Sequence, residues 1–219
     1  MMNAPLRPLR SLALAAAVLA AAPLLADTVR NHFDTDSPMR PPGFFDLVVL
    51  GAQAPARWLI LTDLNPPSAP NRLSQVDAKR PDDSIAAAVR RNYVFQDGSV
   101  STYVKRGGSR AGLLLRMADE KNFLVLLVDG NTGQAVLSSY RDGKAAELGR
   151  GKVALGREWE KFAVVAKGPS LTVLFDDAKV FEATDPKPVT GKTGLVTAGP
   201  GDASFDEFIL ETGDTAAKP

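Results

Sequence analysis

Residues 112–129 read Gly-Leu-Leu-Leu-Arg-Met-Ala-Asp-Glu-Lys-Asn-Phe-Leu-Val-Leu-Leu-Val-Asp, two strand-length apolar runs parted by a short polar turn. Runs of this length that are apolar on both faces belong at the centre of a sheet, covered on each side. The hairpin also sits within a train of similar short segments, at 93–95, 100–105, 135–140, 159–166, 171–175, 179–182, 193–197 and 204–211. Gly98, Gly107-Gly108, Asp129-Gly130-Asn131 and Asp142-Gly143 punctuate them with turn chemistry. Val100, Thr102 and Val104 alternate with Ser101, Tyr103 and Lys105, as in a strand with one wet face. Many short strands, tight turns and almost no helical periodicity predict an all-β fold, a two-sheet antiparallel jelly-roll sandwich. Arg116 is the odd residue in this pattern, a charge inside an apolar strand that must meet a partner or solvent.

The first 26 residues have the three-part form of a cleavable export signal: Arg7 and Arg10, an apolar run over 12–25, and Leu24-Leu25-Ala26 before Asp27. That run is shorter than the roughly 20 apolar residues a membrane span needs. Removing it takes the formal charge from +1 to about -1, which offers no bulk attraction to nucleic acid or anionic lipid. Neither nucleic-acid binding nor membrane insertion is therefore expected. The chain has no cysteine, so it has neither a disulfide framework nor a thiolate metal site. Stability must come from burial, and the remaining roughly 190 residues suffice for one core. A bacterial periplasm or exterior suits an exported chain of this kind.

The sequence divides into a signal peptide (1–26), an extended lead-in (27–56) rich in Pro38, Pro41, Pro42 and Gly43, a jelly-roll domain (57–212) and a flexible tail (213–219). Residues 57–63, Arg-Trp-Leu-Ile-Leu-Thr-Asp, form the first clear strand; Pro66, Pro67 and Pro70 then preclude regular pairing. A helix is conceivable only at 84–91, where Ser84 is a fit cap and Ala86 to Ala88 are good helix formers. A short segment leading straight into Tyr93-Val94-Phe95 could equally be a strand.

Six short stretches carry a family resemblance: Phe95-Gln96-Asp97-Gly98-Ser99-Val100, Ala111-Gly112-Leu113-Leu114-Leu115-Arg116, Asn122-Phe123, Glu158-Trp159-Glu160-Lys161-Phe162, Gly191-Lys192-Thr193-Gly194-Leu195-Val196-Thr197 and Phe205-Asp206-Glu207-Phe208. In their order and spacing, over about two-thirds of the chain, it resembles the concanavalin A-like lectin/glucanase superfamily, nearest to its 3-keto-disaccharide hydrolase-like group. The resemblance implies a jelly roll whose concave face holds a sugar. It also implies, near the last strand, a structural calcium at Asp206; Asp176-Asp177 is a weaker candidate. No cofactor is otherwise indicated. Oligomeric state is not legible.

A sugar site needs aromatic platforms and planar polar groups. Arg116, Asn122, Tyr140 and Trp159 fall on or beside neighbouring strands, and Trp58 and Gln75 join them from the early strand and the end of the Pro-rich loop. The competing assignments are core positions for Trp58 and Trp159 and a cross-strand ion pair for Arg116. The Glu-x-Asp-x-Glu pattern of the family-sixteen glucanases is absent. Glu158 and Glu160 share a face and read as a solvated edge, His32 lies alone in the lead-in, and Asp129-Gly130-Asn131 reads as a hairpin turn. The leading expectation is an exported carbohydrate-binding domain. A glycoside-cleaving hydrolase or lyase is the alternative, and a structural or interaction module is a third possibility.

Overall fold

The computed structural model describes residues 27–51, 56–108 and 110–213. Among them are fifteen strands and no helix: β1 (Asp27–Asn31), β2 (Phe45–Gly51), β3 (Trp58–Thr62), β4 (Asn71–Gln75), β5 (Ser84–Arg90), β6 (Gly98–Gly107), β7 (Arg110–Asp119), β8 (Asn122–Asp129), β9 (Gln134–Arg141), β10 (Lys144–Lys152), β11 (Glu160–Lys167), β12 (Ser170–Phe175), β13 (Ala178–Thr184), β14 (Lys192–Ala198) and β15 (Asp202–Thr212). One sheet runs β13-β12-β11-β6-β15-β4-β3, with β1 also paired to β15; the other runs β10-β9-β8-β7-β14-β5-β2. Two antiparallel layers face each other, as the strand train predicts. The export-signal segment 1–26 and most of the tail lie outside the described residues.

Side-chain parity sorts the seven-stranded sheet into two faces. Leu113, Leu115, Leu124, Leu126, Leu137 and Leu195 point inward and meet Phe162, Phe205 and Phe208 of the opposite sheet in the main core. Leu114, Val125, Val196 and Ala198 gather in a second apolar cluster on the other side, joined by Leu127 and Tyr140. The central strands are thus apolar on both faces, as their sequence requires.

One expectation changes, and one open assignment is decided. The segment 27–56 is more than a lead-in: β1 pairs with β15, β2 closes the edge beside β5, and Val29, Phe33, Phe45 and Leu50 are buried. Pro38, Pro41 and Pro42 occupy the connection between β1 and β2, so the apolar residues on either side are free to pair. Residues 84–90 form a strand buried along its whole length between β14 and β2. Pairing on both edges outweighs the small helix preference of three alanines.

Register bends at one place that matters for the site. A bulge in β7 between Leu115 and Asp119 carries Arg116 at a φ of 49°. The extra residue breaks the alternation, so Met117 takes the outward position and joins the outer apolar cluster.

Candidate functional site

The six residues expected to bind sugar do not converge. Arg116 is the clearest correction: the bulge turns it off the outer face, and its side chain is 0 % exposed. Its guanidinium donates to the Gln96 carbonyl at 2.7 Å, the Gly168 carbonyl at 2.6 Å and the Asp185 carboxylate at 3.2 Å. Arg141 reaches the same Asp185 at 3.0 Å. The charge is spent on an interior network that ties three loops together, so Arg116 is not a ligand residue. Trp58 and Gln75, cross-strand partners, are corrections of the same kind. Trp58 packs in the core against Phe205 with ring centroids 5.7 Å apart, and the Gln75 amide donates to the Asp77 carbonyl at 3.2 Å.

Trp159 belongs to the other sheet's surroundings, with the Lys105 ammonium 5.9 Å from its ring centroid. Asn122 closes the β7–β8 turn: its amide donates to the Asp119 carboxylate at 3.0 Å and its carbonyl accepts the Asp142 backbone N–H at 3.1 Å. It borders a shallow cleft beside Met117 and Lys192. Glu160, expected on a solvated edge, is instead buried and paired with Arg106 at 2.7 Å, while Glu158 does bond the Lys105 ammonium at the surface. His32 meets Glu207 at 2.7 Å.

Of the six, Asn122 and Tyr140 each line a cleft, Asn122 the one of about 600 Å³ beside Lys192 and Tyr140 a separate pair of hollows. Tyr140 points outward from β9, half-buried, with its ring stacked on Phe123 at 4.4 Å between centroids. Two adjoining hollows of about 630 and 340 Å³ share Tyr140, Arg110, Leu127 and Asp129. Asp82, Asp83 and Asn131 line the larger one, and Gln134 and Ser138 the smaller.

Arg110 and Asp129 are direct cross-strand partners at the end of the central hairpin. Arg110 also donates to the Asp82 carbonyl. Gly199, at a φ of 73°, brings its backbone close: a Cβ there would lie 3.2 Å from the guanidinium. Asp129 accepts the N–H groups of Asn131 at 2.8 Å and Thr132 at 2.9 Å. Burial alone would raise the Asp129 carboxyl, but those hydrogen bonds and the Arg110 charge outweigh it and hold the group below its ordinary value. Burial pushes the Tyr140 hydroxyl up, against a smaller opposing pull from Arg110. The cleft therefore presents a fixed carboxylate, a guanidinium and a neutral phenol.

Sequence reasoning missed Arg110 and treated Asp129 as turn chemistry alone. The available signal was positional: both are the first charged residues flanking the apolar hairpin, so antiparallel pairing sets them opposite each other.

The calcium expected at Asp206 finds no fit. Asp206 is fully buried, and each carboxylate oxygen already accepts a backbone N–H, from Ser68 at 2.6 Å and from Glu207 at 2.7 Å. Calcium takes six to eight oxygen ligands, and no cluster of three metal-binding side chains occurs among the described residues. Burial, opposed in part by those two N–H groups, raises the carboxyl to about 7.

No family model and no curated protein matches the chain. Solved structures do. The carbohydrate-binding module CBM66 from Bacillus subtilis aligns with a TM-score of 0.56 at 16 % identity, over 76 % of this chain and 95 % of that one. A B. subtilis protein of unknown function with a galectin-like fold also scores 0.56, at 14 % identity over 89 % of this chain and 100 % of its own. Domain 4 of AbnA, an extracellular arabinanase from Geobacillus stearothermophilus solved with arabinotriose, scores 0.53 at 15 % identity over 86 % and 93 %. At such identity the likeness is one of fold. The chain shares the two-sheet β-sandwich of these proteins.

Proposed function

We propose that the chain is an exported carbohydrate-binding domain that takes a neutral glycan or glycoside in the cleft on the outer face of the seven-stranded sheet. The observation that carries this reading is the grouping of Tyr140, Arg110, Asp129 and Asn131 around one hollow. The half-buried Tyr140 ring offers a platform for the apolar face of a pyranose or furanose, and the other three offer planar hydrogen-bonding groups for its hydroxyls. Asp82, Asp83 and Asp129 line the same hollow as Arg110, so three acidic residues stand around one guanidinium-bearing residue. That balance disfavours phosphate or carboxylate ligands and suits an uncharged polyhydroxylated one.

Two comparisons support the reading: one similar structure is a carbohydrate-binding module and another was solved with an arabinose trisaccharide. The three-part segment at 1–26 supports export to a bacterial periplasm or exterior. No helix among the described residues is long and apolar enough to cross a membrane.

A glycan array tests the proposal. The parent protein should give signal, and Arg110→Ala and Tyr140→Ala should each abolish it while shifting the melting temperature by only a few degrees, since both side chains reach the cleft. A blank array for the parent ends the reading. Release of product from a disaccharide panel would move it to the glycoside-cleaving alternative that the narrower family resemblance keeps open.

A further inference from the structure

A sheet edge is a row of unpaired N–H and C=O groups, and proteins blunt such rows with charge, proline, bulges or cover. Of the five strands that end a row of pairing among the described residues, β13, β3, β10, β2 and β1, four are blunted in this way. β10 carries Lys144, Glu147, Arg150 and Lys152, and its register shifts between Glu147 and Gly149. β13 carries Lys179 and Glu182, and its pairing with β12 shifts between Val173 and Leu174. β1 is short and bears Asp27 and Arg30. The edge of β3 is covered at Ile60, which accepts a hydrogen bond from the Met39 N–H and donates one to the Arg40 carbonyl, both at 2.8 Å.

β2 has none of these devices. Its seven residues, Phe-Asp-Leu-Val-Val-Leu-Gly, hold no proline, no basic residue and one charge, and its register with β5 runs without a shift. One step beyond the Phe45–Arg90 pair, the Arg91 N–H donates to the Phe44 carbonyl at 3.0 Å. Alternation from that bonded pair turns the N–H and C=O groups of Leu47 and Val49 away from β5, onto the free edge. No group of another described residue meets them there; Arg91 caps only the Phe45 carbonyl, at 2.9 Å. Apolar surface gathers at the same place. Of the five large hydrophobic side chains exposed among the described residues, Met39, Phe44 and Leu47 lie on β2 or on the segment leading into it.

We infer that β2 is a docking edge whose occupant is β2 of a second copy of this chain, the two strands running antiparallel about a two-fold axis at Val48. The strand is its own complement. Centred on Val48, all seven residues find a partner: Leu47 lies opposite Val49 of the second copy as a hydrogen-bonded pair, Val48 faces Val48, and the lone charge, Asp46, faces Leu50. The two Asp46 residues then stand four positions, about 13 Å, apart along the strands. Each keeps its own Arg91 guanidinium at 2.6 Å. Parallel in-register stacking, the route to an open fibre, sets Asp46 against Asp46 instead. A two-fold pair also closes, because each copy offers one such edge and the pairing consumes both. The inference stands apart from the sugar reading, since no β2 residue lines the hollows at Arg110.

The experiment is sedimentation velocity on the full chain purified after export, across a dilution series. The parent should pass from monomer to dimer as concentration rises. Leu47→Lys, which puts a cation on the edge, and Val49→Pro, which removes an edge-facing N–H, should each leave monomer only. Circular dichroism checks that both variants fold. Disulfide formation reads the register. The chain has no cysteine, and facing residues of a non-hydrogen-bonded antiparallel pair have Cα atoms about 4.5 Å apart, within disulfide range. Val48→Cys should therefore give a covalent dimer on mild oxidation, whereas Asp46→Cys should not.

A parent that is monomeric at every concentration overturns the self-pairing and leaves the edge to a strand from a different protein. A dimer that survives both edge substitutions overturns it in favour of another face. Cross-linking of Val48→Cys no better than that of Asp46→Cys also overturns it, and this arm decides the matter even where an edge substitution fails to fold.

Discussion

Arg116 shows how one backbone angle reassigns a side chain. With regular alternation it would stand on the outer face among the cleft residues; the bulge at φ 49° sends it inward to Asp185, whose side chain is 1 % exposed. Removing one member of such a pair leaves a buried charge uncompensated, which costs about 3–5 kcal/mol. Arg116→Ala should therefore lower the unfolding free energy from urea titration by an amount of that order, softened by the remaining Arg141 contact, and move the midpoint down accordingly. A midpoint unchanged within error would show the network to be idle. Nothing in the residue types signals the bulge, so the sequence identifies a charge in need of a partner and cannot say on which side it finds one.

Asp206 makes a second prediction at this scale, and its sign is opposite to that of a salt-bridged carboxylate. Its folded-state value is raised from 3.8 to about 7, so the native state holds the proton where the unfolded chain has lost it. The stabilisation is complete below about pH 4, falls as pH rises, and is gone above about pH 7. Its full size is on the order of a few kcal/mol. Asp206→Asn mimics the protonated form, so the difference in stability between variant and parent should change across that window and level off above it. A constant difference from pH 4 to 8 would contradict the assignment.

Strand-scale features were legible wherever the apolar period was unambiguous. The central hairpin, its two-faced burial and the turn at Asp129 follow from composition and spacing alone. β5 was the equivocal case, because Ala86 to Ala88 suit a helix locally and a doubly paired strand globally; the neighbours decide, and they come from residues far away in the chain. Close strand approach makes a prediction here. A Cβ at Gly194 of β14 would lie 2.1 Å from the Ala88 carbonyl oxygen. Backbone cannot yield there as a flexible side chain could. Gly194→Ala should prise β14 from β5 and lower the melting temperature by roughly 4–12 °C, on the order of 2–3 kcal/mol. An unshifted melt would show that the pair has room to relax.

The whole molecule is larger than the recognisable stretch. The expected domain begins at Arg57, yet Phe33 and Phe45 pack at 5.7 Å between ring centroids, and Phe45 meets Phe208 at the same distance across the sandwich. Arg90 also donates to the Asn31 side chain at 2.9 Å. A chain starting at Arg57 should accordingly fail to fold or show a molten near-ultraviolet spectrum, whereas one starting at Asp27 should melt cooperatively. Equal cooperativity would restore the earlier domain boundary. The site was less legible than the fold for a physical reason: a sheet position is encoded by local alternation, but a cleft is assembled from the ends of β5, β7, β8 and β14 and the loops between them, which only the finished topology brings together.

The pairing of Asp27 with Thr212, itself opposite Gly98, sets the first and last described strands side by side at the start of β6, whereas Arg110 follows the far end of that same strand. A reporter joined at Asp27 or Thr212 would therefore meet the sandwich at the Gly98 end of β6 rather than at the Arg110 end.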